Sequence, residues 1–338
     1  MRILVKSVDG LEETVVQEIN EKLRARELVL SPYGSRSWIR CEVERGSLTD
    51  VQRLRSITEA YVVILEEEYG ESFSIDRFAD KAVESIPAYA GKARRISVSA
   101  YSVRGRPSQR QIQGAFSKRI VGRLNAECNF REYDIALRVT LLKRTAIAAV
   151  NLEILPGNMP KGILTHPTPL LPPIAYFMVR LSSPQEGERL LDPMCGCGTI
   201  PLMAALEWKR LKITGADVDE EYVSCAGRNA KTLGVEDKIN LLVSDVAGLS
   251  KRGLEADMIV VNPPYGMSVP AKSDLEKLCR ILFEEAFIIL SSRGRMAIVT
   301  PYPAIVEREA SRQMFKVDST HRIREGELPR TIQLIKKA

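Results

Sequence analysis

Histidine is nearly absent: the 338-residue chain holds two, His166 and His321. Cysteine is sparse and scattered, with six residues at Cys41, Cys128, Cys195, Cys197, Cys225 and Cys279. A zinc centre needs about four such ligands at close spacing, and Cys195 with Cys197 offers one C-x-C pair, so no metal is expected. The same scatter in a long chain argues against a disulfide framework, and all six cysteines read as reduced thiols. No run approaches the ~18 apolar residues of a membrane span. The first ten residues carry Arg2, Lys6 and Asp9, too charged for a secretory core segment. These absences predict a cytoplasmic protein with neither membrane nor metal as partner; a monomer is expected besides.

What is present is ordinary in bulk: 45% hydrophobic and 27% charged residues suit a globular chain of two or three domains. The formal net charge of +6 conceals a segregation. Residues 1–80 hold 11 Lys/Arg against 16 Asp/Glu, residues 81–150 hold 14 against 4, and residues 151–338 hold 24 against 23. Between Gly91 and Arg123 stand Lys92, Arg94, Arg95, Arg104, Arg106, Arg110, Lys118, Arg119 and Arg123, with no acid among them. Solvated helices usually interleave signs, so a run this clean marks a polyanion partner. Without an interleaved aromatic set it favours phosphate contacts, hence salt-dependent affinity with little sequence preference. A double-stranded RNA end fits such shape recognition.

In chain order, residues 1–60 read strand, helix, strand, strand, helix, an α+β half of ferredoxin-like type. Residues 61–155 begin with a strand at 61–65 and a helix at 74–85. A strand at 94–101 follows, with Ile96, Val98 and Ala100 facing inward. The next helix has Ile112, Phe116, Ile120 and Leu124 at steps of four and Ser108 as its N-cap. Strands at 134–139 and 145–152 close this part as a hairpin. Proline-rich residues 156–180 read as a linker running into a helix at 174–181. From 181 to 338 strands (189–192, 213–218, 239–244, 258–262, 295–300) alternate with helices (199–208, 220–233, 272–290, 305–313), and a terminal hairpin follows. Such alternation predicts an α/β, Rossmann-like, mostly parallel seven-stranded sheet with ligands beyond the strands' carboxyl ends.

Two turns carry the chemistry. Asp192-Pro-Met-Cys-Gly-Cys-Gly-Thr199 follows the first of these strands. It lacks the third glycine of the dinucleotide fingerprint and places an acid where a phosphate would approach. An acidic strand end suits a cationic head, an amine or a sulfonium. Asp217 ends the second strand, where a carboxylate can take both ribose hydroxyls. Asp245 ends the third, where one can accept from an adenine amine. Head, ribose and adenine together describe S-adenosylmethionine (SAM). Each acid alone is equally an N-cap; the three in this order are not. Asn262-Pro-Pro-Tyr265 ends the fourth strand. Its prolines leave carbonyls without N–H groups to neutralise them. A carboxamide with one such carbonyl can accept both hydrogens of a planar exocyclic amine, and Tyr265 can stack on the base.

These two motifs resemble the amino-methyltransferase branch of the class I SAM-dependent enzymes. With the basic α/β region upstream, the chain resembles the THUMP-domain tRNA guanosine-N2 methyltransferases of archaea and bacteria. The resemblance implies an N-terminal ferredoxin-like domain (1–60), a THUMP RNA-binding domain (61–155), a linker (156–180) and the catalytic domain (181–338). It implies SAM contacts at Asp192, Pro193, Cys195, Gly196, Gly198, Asp217 and Asp245, flanked by Met194, Thr199, Val218, Val246 and Asn262. It implies the target amine at Asn262 and Pro263, with Pro264 and Tyr265 completing the catalytic turn. Within the family, Asn-Pro-Pro-Tyr accompanies action at guanosine 6 of the acceptor stem, near the 3′ end, and Asp-Pro-Pro-Tyr accompanies guanosine 10; Asn262 favours position 6. Cys197 departs from the Ser or Thr of relatives. Guanosine 10, the N6 of adenine in RNA or DNA, and a tRNA-binding protein without catalysis remain as alternatives.

Overall fold

The computed structural model describes every residue except 35, 45–47, 91–92, 155, 161, 165–169, 265–271 and 326–327. The chain divides into two units, residues 1–7 with 15–158, and residues 8–14 with 159–338.

In the first unit, eight strands form one sheet in the order β2-β3-β1-β4-β8-β7-β5-β6. They are β1 (Arg2–Ser7), β2 (Arg26–Leu30), β3 (Trp38–Glu42), β4 (Ile57–Glu68), β5 (Arg95–Ser102), β6 (Glu127–Cys128), β7 (Ile135–Leu141) and β8 (Thr145–Asn151). Helix α1 (Glu12–Lys22) buries Val15 and Ile19 against Ile3, Val5, Ile39 and Ile57, and α2 (Leu48–Val51) is a single turn. Helices α3 (Ile75–Ser85) and α5 (Gln109–Leu124) pack Phe78 and Phe116 edge to face, centroids 6.2 Å apart, over Ile96, Val98 and Val139; α4 (Pro87–Ala90) lies between them in sequence. Ser108 caps α5 as predicted: its Oγ accepts the Gln111 N–H at 3.3 Å, and the Gln111 side chain accepts the Ser108 N–H at 2.8 Å.

The boundary predicted at residue 60 falls inside β4. This strand pairs antiparallel with β1 and with β8, so a single sheet runs through both predicted parts. The strand starts four residues earlier than predicted, at Ile57, and Ile57 and Ala60 are fully buried.

In the second unit, seven strands run in the order β11-β10-β9-β12-β13-β15-β14. They are β9 (Arg189–Asp192), β10 (Lys212–Asp217), β11 (Ile239–Val243), β12 (Ala256–Val261), β13 (Leu290–Thr300), β14 (Phe315–Glu325) and β15 (Leu328–Lys337). The first five are mutually parallel, and β15 is antiparallel to both its neighbours. Helices α6 (Pro172–Leu181), α7 (Thr199–Glu207) and α8 (Glu220–Leu233) contribute Tyr176, Met203 and Ala230 to one core. Helices α9 (Lys272–Ile289) and α10 (Pro303–Arg312) contribute Phe283 and Val306 to a second. Leu190 belongs to the first core and Leu191 to the second, so the sheet is covered on both faces. The predicted doubly wound, mostly parallel sheet of seven strands is the one observed. Strand β13 starts five residues earlier than predicted, because Ser291-Ser-Arg-Gly294 reads as a loop but continues the strand.

Residues 8–14 belong to this second unit. Val8 and Leu11 enter its first core, and the Asp9 carbonyl accepts the Arg324 N–H at 3.0 Å. Between them Gly10 has φ +96°, and a Cβ there would lie 2.2 Å from the Arg322 carbonyl oxygen, so only glycine fits.

Candidate active site

Parallel pairing of β11, β10, β9 and β12 brings four strand ends to one edge of the sheet. Asp245 lies just beyond β11, Asp217 ends β10, Asp192 ends β9 and Asn262 follows β12 directly. The residues that the sequence assigns to adenine, ribose, cationic head and target amine thus stand in that spatial order.

Asp192 is 1% exposed, and no cation pairs with it among the described residues. One oxygen accepts the Met194 N–H at 3.2 Å. Burial pushes its carboxyl well above the ordinary carboxylate range; the Met194 bond opposes this and the charge of Asp217 adds to it. A buried acid with one weak protein partner lacks its natural counter-charge. The half-buried Asp217 accepts the Gly196 N–H at 2.8 Å through one oxygen and the Asp219 N–H at 3.1 Å through the other. Asp245 is exposed and accepts the Ala247 N–H at 3.0 Å, capping the short turn after it.

The turn between Asp192 and α7 is held from several sides. Cys195 donates its N–H to the Ala216 carbonyl at 2.9 Å, and Gly198 donates to the Cys195 carbonyl at 2.8 Å. Gly198 has φ +90°, and a Cβ there would stand 3.0 Å from the Ala226 Cβ, so the residue serves both conformation and close approach to α8. Thr199 opens α7. Pro193 is buried, Met194 is half-buried against the second core, and burial raises the Cys195 thiol. Val218 is 68% exposed beside Asp217, an apolar side chain left in solvent at the strand ends, whereas Val246 is buried in the second core.

One prediction is corrected here. The six cysteines are not all reduced thiols: Cys197 and Cys225 form a disulfide with Cα atoms 5.0 Å apart, joining the glycine turn to α8. The residues are 28 positions apart, and the proximity arises only when β10 and α8 fold back over the turn. The other four cysteines are free. Among the described residues no group of three or more His, Cys, Asp or Glu is arranged to hold a metal, and no helix is long and apolar enough to cross a membrane.

At the end of β12, Asn262 presents a buried Oδ1 without a hydrogen-bond partner among the described residues. Pro263 is buried and Pro264 half-buried. Tyr265 lies outside the described residues. An orphaned buried acceptor costs roughly 1–3 kcal/mol, and here it stands on the strand beside Asp192.

In the first unit, the nine basic residues divide by partner. Arg119 pairs with Asp76 at 2.8 Å and with Asp80 at 2.9 Å, and Arg123 pairs with Asp80 and with Glu84 at 2.6 Å. Arg95 bonds Glu132 at 2.9 Å and Asp134 at 3.1 Å. Arg104 lies over the Tyr69 ring at 5.6 Å and donates to the Lys143 carbonyl at 2.8 Å. Arg94, Arg106, Arg110 and Lys118 are exposed and have no side-chain partner among the described residues. Lys92 lies outside them. Tyr101 on β5 and Phe130 in the bend after β6 are also exposed, and the charge pattern says nothing of aromatics.

Residues 163–328 match the family described as UPF0020: RMKL-like, methyltransferase domain. A tRNA (guanine(6)-N2)-methyltransferase of Methanocaldococcus jannaschii is 25% identical over 244 residues, 61% of this chain and 64% of that protein. One of the same description from Archaeoglobus fulgidus is 30% identical over 202 residues, 51% of this chain and 50% of that protein. The chain thus spans less than two thirds of the length of these curated relatives. The crystal structure of TrmN from Thermus thermophilus superposes with a TM-score of 0.84 at 19% identity, over 100% of this chain and 99% of that one, a likeness of fold. Residues 163–328, which carry Asp192 and Asn262 on adjacent strand ends, are thus similar in sequence to the methyltransferase domain of the RMKL-like UPF0020 family.

Proposed function

We propose that this protein is a SAM-dependent tRNA methyltransferase forming N2-methylguanosine, with position 6 of the acceptor stem as its target. The observation that carries the reading is the buried Oδ1 of Asn262, without a partner among the described residues, beside the buried carboxyl of Asp192. One wants an N–H donor and the other a cation, at neighbouring strand ends.

The residues present fit SAM. Asp192 would take the cationic head, Asp217 the ribose hydroxyls and Asp245 the adenine amine, and the exposed Val218 beside Asp217 would add apolar surface for the cofactor. When bound, SAM supplies an electrophilic methyl group. Asn262 accepts one hydrogen of the guanine amine and the Pro263 carbonyl accepts the other, which turns the nitrogen lone pair away from both acceptors. No strong base is required, because the nitrogen becomes acidic once it carries the extra bond. Tyr265 stacks on the base. Residues 61–155, in the role of a THUMP domain, hold the tRNA near its 3′ end through Arg94, Arg106, Arg110 and Lys118. The paired Arg95, Arg119 and Arg123 contribute less, Lys92 and Arg104 add to the basic run in sequence, and the protein acts as a cytoplasmic monomer. The descriptions of the two relatives given above support guanosine 6.

The test is nucleoside mass spectrometry of bulk tRNA after incubation with isotopically labelled SAM. Labelled N2-methylguanosine, mapped to position 6, is expected. Label on adenine N6 or at guanosine 10 would move the target, and no label with intact SAM binding would leave a tRNA-binding protein.

A further inference from the structure

Asn229 lies on α8 and is 1% exposed. Its Nδ2 donates to the Cys197 carbonyl at 3.0 Å and to the Leu164 carbonyl at 2.8 Å, and its Oδ1 accepts the Leu164 N–H at 2.8 Å. One side chain therefore joins the glycine turn after β9 to the backbone of residue 164.

The Cys197 carbonyl is the point that matters. It shares a planar peptide with the Gly198 N–H, which points the opposite way. Glycines stand on both sides of Cys197, and both have positive φ, +51° at Gly196 and +90° at Gly198. Such a peptide has little intrinsic resistance to flipping. Asp217 fixes the Gly196 N–H, and the disulfide to Cys225 fixes the Cys197 side chain. Neither sets the direction of the Cys197 carbonyl. Two bonds on opposite edges of that peptide do: the Gly198 N–H to the Cys195 carbonyl at 2.8 Å, within the turn itself, and the Asn229 amide to the Cys197 carbonyl, which alone anchors the peptide to α8.

We infer that Asn229 is a positioning residue for the methyl donor: by holding the Cys197 carbonyl against α8 it keeps the 196–198 turn in the form that receives SAM. The inference rests on the proposed SAM site. It differs from a core role, because a buried amide that merely satisfied Leu164 would affect stability and leave cofactor affinity alone.

The experiment is calorimetric titration of SAM into the full-length protein and its Asn229→Ala and Cys225→Ser variants, with melting curves and steady-state kinetics on tRNA. Asn229→Ala should raise the SAM Kd by about tenfold or more, the scale of one lost buried hydrogen bond. The tRNA KM, and kcat at saturating SAM, should stay within about threefold. Cys225→Ser, which removes the disulfide and keeps the carbonyl bond, should leave the SAM Kd within about threefold. An unchanged SAM Kd in Asn229→Ala, with only a lowered melting temperature, overturns the inference; so does a loss that follows Cys225→Ser instead. If Asn229→Ala does not fold, Asn229→Asp keeps the side-chain size and the Leu164 N–H bond but loses both donated bonds, and the same rise is expected of it. A wild-type protein that does not bind SAM would instead refute the proposed function.

Discussion

The backbone N–H of Gly196 meets the Asp217 carboxylate at 2.8 Å, tying the glycine turn after β9 to the acid that ends β10. In the proposed site the carboxylate thus has two duties, to shape the turn and to take the ribose hydroxyls. Asp217→Ala removes both, and the SAM Kd should rise about 10- to 100-fold, the range of charge-assisted hydrogen bonds. Asp217→Asn keeps an oxygen for Gly196 and should fall between. Titration calorimetry orders the three proteins; equal affinities would remove Asp217 from the site.

Asn262→Ala should lower kcat by about 10²–10³-fold, the cost of losing one positioned electrostatic contact. The SAM Kd should change by no more than about twofold. Single-turnover methylation together with SAM titration separates the two quantities. A collapse of SAM binding would mean that Asn262 serves the cofactor and not the amine.

Asp192 links function to stability through its raised pKa. In the ligand-free protein the folded state holds this proton at pH values where the unfolded chain has released it. The stability contributed by the protonated form is complete below the ordinary carboxylate range and declines as pH rises towards the raised value. Asp192→Asn should therefore melt no lower than wild type near neutral pH, while its SAM affinity falls by about tenfold or more. In the wild type, SAM binding should release a proton, read as a calorimetric heat that varies with buffer ionisation enthalpy and vanishes in the variant. Buffer-independent heats in the wild type would contradict a protonated Asp192.

The basic face yields a prediction that contrasts free and paired charges. Reversing Arg106 and Arg110 to Glu should weaken tRNA binding and flatten the slope of log affinity against log salt by about 2, roughly one per phosphate contact. Arg95→Glu, placed against Glu132 and Asp134, should lower the melting temperature and barely alter the slope. An equal change in slope for all three would spread the RNA site over the paired residues as well.

Much of the second unit was legible because its signals are local. The 3.6-residue periodicity of 220–233 gives α8 to the residue, and the strand-end positions of Asp192, Asp217, Asp245 and Asn262 follow from short apolar runs. What the sequence concealed depends on pairing across distance. Asp76, Asp80 and Glu84 lie at steps of four on α3 and meet Arg119 and Arg123 on α5. Each stripe is readable on its own helix, but not that they neutralise one another. The Cys197–Cys225 bond and the bonds of Asn229 to Leu164 and Cys197 are hidden for the same reason. β13 was shortened because Ser291 to Gly294 looks polar, whereas sheet pairing depends on backbone groups that every residue carries.

The bridge between Asp9 and Arg324 has a consequence for how the chain acquires its structure during synthesis. Val8, Asp9, Gly10 and Leu11 are synthesised long before Ile323, Arg324 and Ile332, which share their core and ladder. Loop closure over so long a separation is slow relative to local folding. The first core of the second unit therefore closes only after these later residues have been made, and until then the stretch around Gly10 waits for its partner.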